Sequence, residues 1–193
     1  ETIPAAVPYL AAPAERVARW RPHFPPQPRL RVGVVWRGNP KHHNDANRSV
    51  AFDTFRAIFD TESCEFVCLQ VGLNPTESAV LSSHPRCVNH TADIRDFCDT
   101  AAIVAQLDLV IAVDTSVAHL VGALGQPVWL LLPFSPDWRW MLDRDDSPWY
   151  PTMRLFRQPT IGDWSSVVEK VRDELLPLAQ DHAARPTAQL QPA

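Results

Sequence analysis

The chain has 193 residues, of which 46% are apolar and 21% charged, and its formal net charge is −4. That is the composition of an ordinary soluble globular protein, long enough for one domain or slightly more, and it excludes a disordered, collagen-like or disulfide-scaffold chain. No global basic field points to nucleic acid. In chain order, residues 1–28 are rich in proline (Pro4, Pro8, Pro13, Pro22, Pro25, Pro26, Pro28) and read as an extended lead-in with one short helix at 14–20. The body, residues 29–178, alternates. Apolar strands are expected at 29–36, 65–70, 86–89, 108–113, 127–132 and 153–156. The helices between and after them are expected at 52–59, 76–82, 100–106 (capped by Asp99), 116–124 and 165–176 (capped by Asp163). Beyond Pro177 the chain reads as a frayed or disordered tail, 179–193.

Strands alternating with helices, with continuous rather than alternating apolar runs, predict an α/β domain with a doubly wound, mostly parallel, Rossmann-like sheet covered on both faces. Ligands of such sheets sit outside the carboxyl ends of the strands. No apolar run of about 20 residues is present, so no membrane span is expected. No basic start followed by an apolar core suggests secretion, so a cytoplasmic location is expected. The four cysteines (Cys64, Cys68, Cys87, Cys98) lack CxxC spacing and read as reduced, buried thiols.

Three segments could carry chemistry. In Asp114-Thr115-Ser116-Val117-Ala118-His119 a strand passes into a helix. Its free N–H groups, the Thr115 and Ser116 hydroxyls and the His119 imidazole, one turn on, form a candidate diphosphate site. Read alone, the same residues equally describe a capped helix with a half-buried histidine. The loop after the first strand carries Arg37, Asn39, Lys41 and Arg48, cations suited to phosphate, although a solvated loop has the same composition. His42 and His43 are adjacent, a poor spacing for two ligands on one metal, and Asp143 to Asp146 reads as a charged turn, so no metal site is expected. The segment from Pro133 to Trp140 offers Trp138, Arg139 and Trp140 as walls of a base or sugar pocket, or as cover for a sheet edge. Neither GxGxxG nor GxxxxGK[ST] occurs.

With these residues in view, the segments VGVVWRGNPKHHNDANRSV, FVCLQVG, DLVIAVDTSVAHLVGALGQPVWLLLPFSPDWRW and DSPWYPTMRLFRQ resemble the C-terminal half of a GT-B glycosyltransferase. The resemblance is strongest to glycosyltransferase family 9, the ADP-heptose:lipopolysaccharide heptosyltransferases and their relatives, in the form fused behind tetratricopeptide repeats in bacteria. It implies a nucleotide-sugar donor bound without a metal, and no other cofactor. By the same resemblance Asp114, Thr115, Ser116 and His119 match the donor signature. Arg48 stands near a phosphate-contacting lysine of the family and Gln70 near an acidic donor contact; Ser116 stands where the family usually has glycine. The catalytic base and the acceptor would come from an N-terminal GT-B half, so no catalytic residue is assigned here, and that half or the repeats are the expected partners. A non-catalytic interaction module, or another Rossmann-like nucleotide or phosphosugar enzyme such as an epimerase, are the alternatives.

Overall fold

The computed structural model describes residues 6–184. Six strands form one all-parallel sheet: β1 (Leu30–Val35), β2 (Cys64–Cys68), β3 (Cys87–Asn89), β4 (Leu109–Val113), β5 (Val128–Leu132) and β6 (Met153–Arg157), in the order β3-β2-β1-β4-β5-β6. The α/β, Rossmann-like class is therefore as expected. Every residue of β1, β4 and β5 is buried, because helices cover both faces. Alternation along β1 sends Val32 and Val34 into one core, with Phe55, Phe59, Phe66, Val171 and Leu175, and Val35 into the other, with Trp20, Ile103, Val121 and Trp140.

The strand order makes β1 and β4 adjacent although the chain visits β2 and β3 between them. The connections leaving β1 and β4 therefore diverge, and a crevice opens outside their carboxyl ends. Two segments border it: the loop from β1 through a one-turn helix α2 (Asp45–Arg48), and the passage from β4 into α3 (Ser116–Ala123).

Several local expectations needed correction. The predicted helix at 52–59 is one α-turn, Phe52–Phe55, continued as a 3₁₀ segment, Arg56–Asp60. Asp99 is not a cap. The helix α4 (Phe97–Val104) starts earlier and is capped by Asp96, which accepts from the Asp99 N–H at 3.0 Å. The lead-in is not merely linker: its helix α5 (Ala14–Trp20) and Phe24 pack into the second core, with Trp20 and Phe24 buried. The final helix α6 (Trp164–Ala183), capped by Asp163, runs past the expected end at Leu176, through Pro177, and buries Ala179 and His182. Residues 179–184 of the supposed tail are thus largely helical; the rest of it lies outside the described residues. No helix among the described residues is long and apolar enough to cross a membrane.

Candidate functional site

The loop leaving β1 folds back on itself. Val50 N–H donates to Trp36 O at 2.8 Å and Gly38 N–H to Ser49 Oγ at 3.0 Å, closing the excursion at its base. Inside it, α2 presents Arg48. Its Nη1 reaches across the crevice to the backbone oxygen of Asp114 at 2.9 Å, and its Nε is paired with Asp45 at 3.2 Å. Gly38 makes this possible by close approach: a Cβ there would fall 2.5 Å from Arg48 Nη2. The β1 exit and the β4 exit are therefore tied together by the guanidinium that the sequence singled out.

Around that tie lies a polar cavity of about 470 Å³. Of the expected site residues, Arg48, Asp114, His119 and Arg139 line it. Sequence reasoning missed Asn44, Asn47, Ser135, Pro136 and Asp137 as lining residues, and passed over His42 and His43 except as metal ligands. Their signal was only their position in polar loops after β1 and β5. Arg139 is held by Asp137 at 2.8 Å. Arg48 keeps Nη2 without a protein partner among the described residues, so it retains donors for a ligand.

His119 sits on α3 with its ring stacked on Trp140, centroids 5.2 Å apart and planes 25° from parallel. Its Nδ1 lies 3.1 Å from the Tyr150 hydroxyl and its Nε2 3.8 Å from Asp114 Oδ1. Burial pushes the imidazole pKa below its ordinary value; Asp114 opposes that shift and Arg139 adds to it. The ring is therefore neutral at neutral pH.

The other expected site residues lie elsewhere. Arg37 turns away from the cavity and pairs with Glu77 at 2.6 Å, at the start of α7 (Pro75–Ser83), the helix after β2. Gln70 is buried, and its Oε1 accepts the Arg37 N–H at 3.0 Å, pinning the β1 and β2 exits together rather than facing a ligand. Asn39 accepts the Lys41 N–H at 3.0 Å in a local turn, and both residues are exposed outside the cavity lining. Thr115, the N-cap of α3, is buried with its hydroxyl unpartnered, and the exposed Ser116 follows; neither lines the cavity. Trp140 is fully buried beneath His119 and is no pocket wall, because Arg157 of β6 draws its backbone carbonyl toward the sheet. Trp138 is 68% exposed, edge-on to Trp149 and covered by Arg139, at the outer side of the same loop. Among the described residues no group of three or more His, Cys, Asp or Glu is placed to hold a metal ion.

No family model matches this chain. Protein FlbA of Caulobacter vibrioides is 28% identical over 183 residues, which cover 91% of this chain and 30% of that protein. Three solved structures share the architecture. E. coli ADP-heptose lps heptosyltransferase II matches at a TM-score of 0.62 and 15% identity, over 94% of this chain and 57% of that one. The glycosyl transferase family 9 structure from Veillonella parvula matches at 0.60 and 10%, over 90% and 53%. E. coli heptosyltransferase WaaC with ADP matches at 0.52 and 11%, over 93% and 52%. The chain thus spans under a third of its curated relative and a little over half of each solved structure. At these identities the likeness is one of fold: the Rossmann-like α/β unit of this chain is of the kind found in GT-B-like glycosyltransferases.

Proposed function

We propose that the cavity binds the nucleotide-sugar donor of a metal-independent, inverting glycosyltransferase of the family 9 type. In this reading the chain is the C-terminal GT-B half of a larger cytoplasmic bacterial protein that also carries tetratricopeptide repeats, and the N-terminal half supplies acceptor and base. The observation that carries the reading is the convergence of Arg48 from the β1 loop with Asp114 and His119 from the β4–α3 passage, at the crevice between diverging connections. The fold shared with heptosyltransferases, at about half their length, supports it.

In such a transfer the bond from the anomeric carbon to the diphosphate breaks while an acceptor hydroxyl, deprotonated by a base, attacks from the opposite face. Negative charge accumulates on the departing nucleoside diphosphate. Arg48 and Arg139 offer guanidinium charge to it, and the neutral imidazole of His119 offers an N–H. A calorimetric panel of ADP, UDP, GDP and CMP and their sugars tests the reading. One nucleotide is expected to bind, and to bind more weakly to His119→Ala; no binding by any of them sinks it.

A second reading, an interaction module derived from a transferase half, is favoured by the exposed side chains of Phe134, Trp138 and Leu142 beyond the cavity. It predicts no nucleotide binding and a stable complex with the repeat region.

A further inference from the structure

We propose that Tyr150 is a positioning residue: its hydroxyl holds His119 as the Nε2–H tautomer, so that the imidazole presents a fixed donor to a phosphate oxygen in the cavity. The phosphate part rests on the donor-site reading; the tautomer part does not.

The geometry specifies both ring nitrogens. Nδ1 is 3.1 Å from Tyr150 Oη, and Tyr150 Oη is 3.4 Å from Tyr9 Oη. The direction of donation follows from chemistry. A phenol is a good donor and a poor acceptor, whereas an unprotonated imidazole nitrogen is a good acceptor. Burial also raises the Tyr150 phenol above its ordinary pKa, so it keeps its proton. Tyr9 is more than half exposed, so solvent satisfies its oxygen and it needs no proton from Tyr150. On the other side of the ring the Asp114 carboxylate lies 3.8 Å from Nε2, which favours the proton there.

Tyr150 is itself seated. Its ring lies against α3 where Gly122 leaves room: a Cβ at Gly122 would meet Tyr150 Cγ at 2.5 Å. Its backbone oxygen accepts the Met153 N–H at 3.0 Å, at the entry of β6. With Trp140 stacked on its face at 5.2 Å between centroids and Tyr150 edge-on at 5.8 Å, the His119 ring is confined in plane as well as in protonation. The charged and titratable groups facing it are Asp114, Asp137 and Arg139, with His42, His43 and Arg48 across the cavity. None of them is hydrogen-bonded to Nδ1, so Tyr150 alone defines that nitrogen among the described residues.

The test uses the whole chain with ¹⁵N-labelled histidine and long-range ¹H–¹⁵N correlation, with His119 assigned by its loss in His119→Gln. The wild type is expected to show Nδ1 unprotonated and Nε2 protonated, and Tyr150→Phe a mixture of tautomers. Tyr9→Phe, which leaves the Tyr150 proton in place, is expected to keep the wild-type pattern. An Nδ1–H tautomer in the wild type, an unchanged pattern in Tyr150→Phe, or loss of the Nε2–H form in Tyr9→Phe overturns the proposal. Tyr150→Phe keeps the ring on Gly122, and a urea midpoint close to wild type reports that it folds. A lowered midpoint with an unchanged tautomer marks a merely structural residue and also overturns it. In calorimetry with ADP, UDP, GDP and CDP, Tyr150→Phe is expected to weaken the best nucleotide about 3- to 10-fold, the worth of one neutral hydrogen bond. If the wild type binds none of them, the donor-site reading falls, and the tautomer measurement still decides the role of Tyr150.

Discussion

Arg37 and Arg48 both leave the same strand in a polar loop, and apart from the family resemblance at Arg48 the sequence has no feature that ranks one above the other as a phosphate ligand. The fold separates them. Glu77, far along the chain, takes Arg37 at 2.6 Å, while the fold-back of the loop over Gly38 turns Arg48 toward Asp114. Their substitutions should therefore diverge. Arg48→Ala is expected to weaken nucleoside diphosphate binding about 10-fold or more, the range of a charge-assisted hydrogen bond, and also to lower the urea midpoint, since it releases Asp45 and the Asp114 carbonyl. Arg37→Ala is expected to leave that affinity intact and to lower stability by about 1–3 kcal/mol, because it strips a buried carboxylate of its cation. Calorimetry and urea unfolding of the two variants check this, and equal effects on affinity would count against the placement of the site. The same logic explains Gln70 and Thr115. Both are polar residues at strand ends, where a ligand contact is a fair expectation, and in both the interior claimed the side chain.

At the scale of elements, apolar spacing located all six strands and most of the helices, because a strand buried on both faces has to be apolar along its length. It erred where a tertiary partner outweighed a local rule. Pro177 costs a helix interior about 3 kcal/mol and removes one hydrogen bond. Even so α6 continues, because Val171, Leu175 and Ala179 keep burying one face against the first core. Asp99 looks like a cap in the sequence; in the fold it is fully buried and anchors the lead-in helix. It accepts from Trp20 Nε1 at 3.0 Å and Arg16 Nη1 at 2.7 Å. Burial pushes its carboxyl up, but the indole, the Arg16 guanidinium and the Arg95 N–H outweigh that and hold it down at about 2. A depressed carboxylate contributes stability that is fully present above its unfolded value, about pH 4, and is lost as the pH falls toward 2. Asp99→Ala is expected to leave the buried Trp20 N–H unsatisfied, costing about 1–3 kcal/mol at neutral pH. It should also flatten the acid dependence of the urea midpoint between pH 4 and 2. A variant that retains the wild-type slope would show that Asp99 does not anchor α5.

For the whole molecule, the fold gathers Arg48, Asp114 and His119 at one end of one Rossmann-like unit, and this chain covers 57%, 53% and 52% of the similar solved structures. The reading proposed above therefore expects binding without transfer: the chain alone should retain a nucleotide sugar unconsumed, as followed by chromatography of donor and released nucleoside diphosphate. Acceptor-dependent release by the chain alone would show that a base resides within it, and would overturn the division of labour between halves. The α/β class was legible in the sequence, since it follows from local periodicity and from the chirality of parallel crossovers, and so was the end of the sheet at which the polar residues after β1 and β4 gather. Which side chains meet there was not. The tie from Arg48 to Asp114, the seat of Tyr150 on Gly122 and the burial of Trp140 join residues far apart in the chain, through distances that only the strand order β3-β2-β1-β4-β5-β6 creates. Periodicity is a property of neighbours along the chain, whereas a binding site is a property of neighbours in space.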